Sequence, residues 1–192
     1  MKALLLILTL EAATLFAHAQ GTIRFGNHPL TWMGVRPPDG TERYATAEDN
    51  LFIGAFFGPA GSYADILVLA PGLATIGTTP GVMTNAPTVF PIPGTAPGEV
   101  VSLQIRAWDA ALGPDGWREA RVNCAGRFYG ETAVLQHTLG PTDGPGTVIW
   151  GTRTSTGPNT RFAPLTVGIC PEPSTIALGL LTGLLLFLLR RK

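Results

Sequence analysis

The side chains that could do chemistry are few, and their spacing joins them into no known catalytic motif. The chain contains no Gly-x-Ser-x-Gly elbow, no His-Glu-x-x-His pair, no phosphate loop and no dinucleotide fingerprint. His137 would serve as a general base only beside a nucleophile and an orienting carboxylate, and it stands in a strand-like run, so it reads as a surface or satisfied histidine. His28, just before Pro29, reads as loop. Asp109, Asp115 and Glu119 follow one another closely enough to suggest calcium, which takes about six to eight oxygen ligands. Their spacing matches no calcium loop and Arg118 lies among them, so a solvated turn is expected and no metal is assigned. The remaining carboxylates are too dispersed to nominate a glycosidase pair. No cofactor is implied.

Four tryptophans are the other candidates, because flat rings can stack on sugars as well as fill cores. Trp32 and Trp150 read as core or rim packing, whereas Trp108 and Trp117 are the candidates for ligand contact. Trp108 shares the strand parity of Ser102, Gln104 and Arg106, and Trp117 follows a Pro-Asp-Gly turn. Cys124 and Cys170 either pair or remain thiols. In an oxidising compartment a bond between them would contribute about 2 to 4 kcal/mol by closing a long loop. The histidines stand at no zinc-like spacing from either cysteine.

The elements that must position these residues are short strands. Thr22–Phe25 alternates and stops at Gly26-Asn27, and Thr31–Asn50 is turn-rich around Pro37-Pro38-Asp39-Gly40 and reads as loop. Leu51–Phe57 is a near-continuous apolar run, expected as a buried central strand, and Ala64–Ala70 is a second. Thr88–Phe90 is short, with Pro91 and Pro93 pushing its end towards a sheet edge. Glu99–Trp108 has the clearest period of two, with Val101, Leu103, Ile105 and Ala107 on one face. The opposite face carries Ser102, Gln104 and Arg106, which predicts a half-solvated strand. Thr132–His137, Gly146–Gly151 and Pro164–Ile169 follow as strands, with a helical turn expected within Glu119–Ala125. Short strands at roughly ten-residue spacing predict an all-β, single antiparallel β-sandwich, jelly-roll or immunoglobulin-like. No internal repeat supports a solenoid or propeller.

Both ends read as targeting segments. Met1-Lys2, the apolar Ala3–Leu10 and Ala17-His18-Ala19 have the order of a secretory signal peptide, with cleavage expected after Ala19. At the other end stand Pro171-Glu172-Pro173, then an uncharged Leu-rich run from Ile176 to Leu189, then Arg190-Arg191-Lys192. The run is short against the roughly 20 apolar residues of a full span, and snorkelling of the basic end helps it reach across. The positive-inside rule puts the basic end in the cytoplasm and the domain on the far side. The domains expected are thus a signal peptide over 1–19, an ectodomain over 20–170 and a tail over 171–192 whose transmembrane helix spans 175–189. Within the ectodomain the basic residues are all arginine and slightly outnumbered by acids, so nucleic acid is not an expected partner.

The ordered tail resembles the PEP-CTERM sorting signal of Gram-negative, exopolysaccharide-producing bacteria. Pro171, Glu172 and Pro173 match its motif, and Arg190 to Lys192 its basic end. That resemblance implies an exosortase-type membrane protease that cuts near the motif, after signal peptidase and the secretion machinery have exported the chain. It also implies a passage through the inner membrane to the cell surface or extracellular matrix. Gly21–Phe25, the Gly-Pro-Ala-Gly turn at 58–61 and Val101–Asp109 look like small exported proteins that carry this tail in paralogous sets, notably in Verrucomicrobia-like bacteria. Three roles are therefore expected, in this order: a non-enzymatic structural or adhesive module among exopolysaccharide, a carbohydrate-binding module, and a hydrolase.

Overall fold

The computed structural model describes residues 20–26, 32–84, 89–123, 126–142, 146–149 and 164–169. The signal segment with Ala17 and Ala19, His28, Cys124, Trp150, Cys170, the Pro171–Pro173 motif, the 175–189 helix and Arg190–Lys192 lie outside the described residues. Among the described residues no helix is long and apolar enough to cross a membrane.

The chain is mostly β, and its sheets are antiparallel and mixed. In chain order the strands are β1 (Gly21–Arg24), β2 (Gly34–Arg36), β3 (Arg43–Tyr44), β4 (Leu51–Pro59), β5 (Val68–Leu69), β6 (Thr75–Ile76) and β7 (Met83–Thr84). They continue with β8 (Val89–Ile92), β9 (Val100–Asp109), β10 (Phe128–Glu131), β11 (Leu135–Thr138), β12 (Thr147–Val148) and β13 (Thr166–Ile169). Among the described residues the α-helix α1 (Trp117–Val122) overlaps the stretch where a helical turn was expected. The large sheet runs β3-β2-β13-β10-β9-β4-β5, a smaller one runs β12-β1-β8, and β6 pairs with β7.

At the centre lie the two strands whose sequence signal is strongest. β4 pairs antiparallel with β9 along its whole length, from Leu51 opposite Asp109 to Pro59 opposite Val101. On its other side β9 meets β10 and then β11, whose registers differ by one residue between Glu131 opposite Arg106 and Leu135 opposite Leu103. Thr132 occupies that bulge. Its N–H donates to the Ile105 carbonyl at 2.9 Å, and its hydroxyl oxygen accepts the Ile105 N–H at 3.0 Å, so the ladder stays satisfied across the extra residue.

The Val101, Leu103, Ile105 and Ala107 face of β9 joins Ile53 and Ala55 of β4 in one buried cluster with Ile23, Phe90 and Ile92 of the small sheet and Phe25 just beyond β1. The Phe25 and Phe90 rings lie 5.5 Å apart within it.

The opposite face of β9 departs from expectation. Ser102, Gln104, Arg106 and Trp108 are buried rather than half-solvated, because α1 and the turn at 64–66 cover that face, Ala120 and Leu67 packing with Trp108 and with Phe56 of β4. Alternation alone could not reveal a cover supplied by elements remote in sequence. Gly54 stands opposite Arg106 in the ladder, and a Cβ there would meet the Leu69 side chain at 2.6 Å and the Trp108 ring at 3.1 Å. The bare backbone at Gly54 is what lets the Leu69 side chain and the indole approach the sheet this closely.

Other expectations shift in smaller ways. The stretch 31–50, read as loop, contains β2, β3 and a 3-10 turn at Ala47–Asp49. Of the strand expected over 64–70 only Val68–Leu69 is strand, and β10 was not foreseen. Two pairings, β13 with β2 and β1 with β12, are parallel, so the expected antiparallel arrangement is only part of the architecture. Pro91 lies inside β8, an outer strand as expected, where its missing N–H breaks no ladder. Because Ile105 is fully buried in the joint core, Ile105→Ala is expected to destabilise the fold by about 2 to 5 kcal/mol, measured by urea denaturation with an unchanged m-value.

Candidate functional site

Two places on the large sheet gather polar and aromatic side chains. The first lies at its β3 end and is built by a local hairpin. The Pro37–Gly40 turn closes with Gly40 N–H donating to the Pro37 carbonyl at 3.0 Å, in a left-handed conformation that suits glycine (φ +78°). Asp39 accepts the Thr41 hydroxyl at 2.7 Å and its N–H at 3.0 Å, which holds the carboxyl below its usual range. β3 then pairs back on β2, setting Tyr44 opposite Gly34. β13, far along the chain, adds Thr166 on the other side of Gly34.

The result is a groove of about 570 Å3 lined by Trp32, Gly34, Glu42, Arg43, Tyr44, Pro164 and Thr166. Trp32 and Tyr44 meet nearly at right angles (82°), ring centroids 4.1 Å apart. Glu42 accepts the Thr166 hydroxyl at 2.6 Å and an Arg36 N–H at 3.3 Å, and both bonds lower its pKa. Arg43 grips both oxygens of Asp49, at 2.8 and 2.6 Å. Burial opposes ionisation of Asp49, but that grip and the Thr46 N–H at 2.7 Å prevail, so its pKa is lowered. The Trp32 Nε1–H is buried with no acceptor among the described residues.

The second place is the covered face of β9. Arg106 is fully buried. Its Nε donates to the Gln104 side chain at 2.9 Å, and Nη2 donates to the Ala64 carbonyl. Its guanidinium carbon stands 4.2 Å from the Phe56 ring centroid and 4.6 Å from that of Trp117, rings that meet at 74°. Nη1 has no hydrogen-bond partner among the described residues, so ring faces take the place of an acceptor there. Glu131 lies 3.7 Å from Arg106 and 3.4 Å from Arg121, and accepts the Tyr129 hydroxyl at 2.6 Å. Arg121 also pairs with Asp65. Desolvation lowers the Arg106 pKa, and desolvation together with the bond to Glu131 raises that of Tyr129.

The structure separates the residues singled out in sequence. Trp108 is fully buried, its Nε1–H donating to the Gly113 carbonyl at 3.0 Å, so it offers no surface to a ligand and its expected contact role is corrected. Trp117 is half-buried, with the Arg106 and Arg118 guanidinium groups against its ring. Asp109 accepts the Ala111 N–H and pairs with Arg127 at 3.1 Å, which ties it to a turn. Asp115 lines a separate shallow groove with Trp117 and Arg118, and Glu119 lies within α1. Among the described residues no three His, Cys, Asp or Glu side chains are grouped to hold a metal. His137 is buried in β11 on the joint-core face. The β3 groove went unread because strands of two and three residues carry no measurable period, although Trp32 and Tyr44 in a turn-rich stretch were a visible compositional signal. Comparison with protein-family models, with curated proteins and with solved structures finds no match to this chain.

Truncating Arg106 strands the groups that surround it. Arg106→Ala is expected to cost about 3 to 5 kcal/mol and Arg106→Met clearly less, read from the shift in urea midpoint. Tyr129 gives a pH signature. With its folded pKa above the unfolded value of about 10, its neutral form stabilises the fold at neutral pH, and that contribution is lost as pH rises beyond about 10. Tyr129→Phe should flatten the alkaline limb of stability against pH and remove the last phenol to ionise in an absorbance titration.

Proposed function

We propose that this chain is an exported surface or matrix module, a β-sandwich that works by packing and adhesion and is delivered through a PEP-CTERM-type tail. The observation that carries the reading is the ordered set of Pro171-Glu172-Pro173, the apolar run Ile176–Leu189 and Arg190-Arg191-Lys192, following an export-type N-terminus. On this reading the chain passes through the inner membrane with its basic end cytoplasmic, an exosortase-type protease cuts near the motif, and the domain goes to the surface or the exopolysaccharide matrix. The sandwich is supported by the single core that the two sheets share.

A non-catalytic role is supported by how the described carboxylates are used. Five of the ten described carboxylates, Glu42, Asp49, Asp65, Asp109 and Glu131, are each engaged with an arginine. A carbohydrate role resting on Trp108 and Trp117 is weakened by the burial of the first and the cation contacts of the second.

Mass spectrometry of the protein from the surface fraction of its native host tests the sorting reading. The expected C-terminus lies at or near Pro171–Pro173, and alanine at all three positions should leave the tail attached in the membrane fraction. A surface-fraction chain intact through Lys192 overturns the proposal.

A further inference from the structure

We infer that the β3-end groove is a binding site for a neutral saccharide, held against Trp32 and Tyr44 and hydrogen-bonded by Glu42, Arg43 and Thr166. This goes beyond the sorting reading and does not depend on it. The groove volume of about 570 Å3 falls within the range of roughly 300 to 1,000 Å3 usual for small-molecule sites, and exceeds the grooves of about 350 and 320 Å3 beside α1. Its walls combine two kinds of surface. Tyr44 is 52% exposed and stands perpendicular to Trp32, which presents ring surface in two planes. Gly34 keeps the floor open between them: a Cβ there would press on the Thr166 hydroxyl at 3.1 Å.

The charges decide the ligand class. Glu42 is paired with Arg36, and Arg43 with Asp49, so the groove carries balanced, already satisfied ion pairs. A charged ligand therefore finds no unpaired countercharge there. A polyol needs only what those pairs leave over. A carboxylate offers about four acceptor sites and a guanidinium five donors, and the bonds described occupy part of each. A pyranose ring has the matching form, with an apolar C–H face for the rings and hydroxyls at its rim.

Isothermal titration of the purified full-length chain with cellohexaose, xylohexaose, mannohexaose and maltohexaose tests this, with hexagalacturonate as the charged comparison. At least one neutral hexaose should bind saturably, with an affinity insensitive to salt between about 0.05 and 0.5 M. Tyr44→Ala and Trp32→Ala, each of which removes a ring from the groove wall, should each weaken it about tenfold. Val122→Ser on α1 should leave it unchanged. Thermal melts establish that each variant is folded, and Glu42→Gln, expected to weaken binding, replaces any that is not. Saturable binding to none of the four, full affinity in a folded Tyr44→Ala or Trp32→Ala chain, or preference for hexagalacturonate overturns the inference.

Discussion

The fold depends on the burial of β9 on both faces, and above all on the guanidinium of Arg106 within it. A cation removed from water is tolerable only when its donors and its charge find partners. Here Gln104, the Ala64 carbonyl, Glu131 and the rings of Phe56 and Trp117 supply them. These partners come from β9 itself, the 64–66 turn, β10, β4 and α1. One side chain therefore requires five segments to be in place together, and any of them drifting away would expose or orphan a charge.

The two faces of β9 serve different ends. One contributes aliphatic side chains to the core shared with the small sheet, where packing area dominates. The other holds a polar and aromatic layer whose members specify one another: Gln136 donates to the Ser102 hydroxyl at 2.9 Å, and Tyr129 donates to the carboxylate that faces Arg106 and Arg121. The bulge at Thr132 makes both possible. By shifting register one residue, it sends Leu135 and His137 to the core face while Tyr129 and Glu131 stay on the polar one. The open groove lies at the opposite end of the sheet from β5, away from this layer.

The long central strands were legible in the sequence because their own residues carry the signal. β4 is apolar nearly throughout, and β9 alternates over enough residues to establish its period. The face of Ser102, Gln104, Arg106 and Trp108 was misread for the same reason: polar types on alternate positions ordinarily mean water. What covers them, α1 and the 64–66 turn, has no local mark declaring its destination. The groove was less legible still, since Thr166 reaches Gly34 only through a parallel pairing between distant segments.

The sequence by itself determined the β class, the two central strands, the helical turn and the order of motifs at the termini, because each rests on local periodicity, turn chemistry or contiguous composition. Only the tertiary structure decided that Arg106 and Trp108 are buried, that the sheets include parallel pairings, and that Trp32, Tyr44, Glu42 and Thr166 share a groove. Those outcomes are set by which distant segments pack together, and the free energy of such contacts appears only once the chain has closed the loops between them.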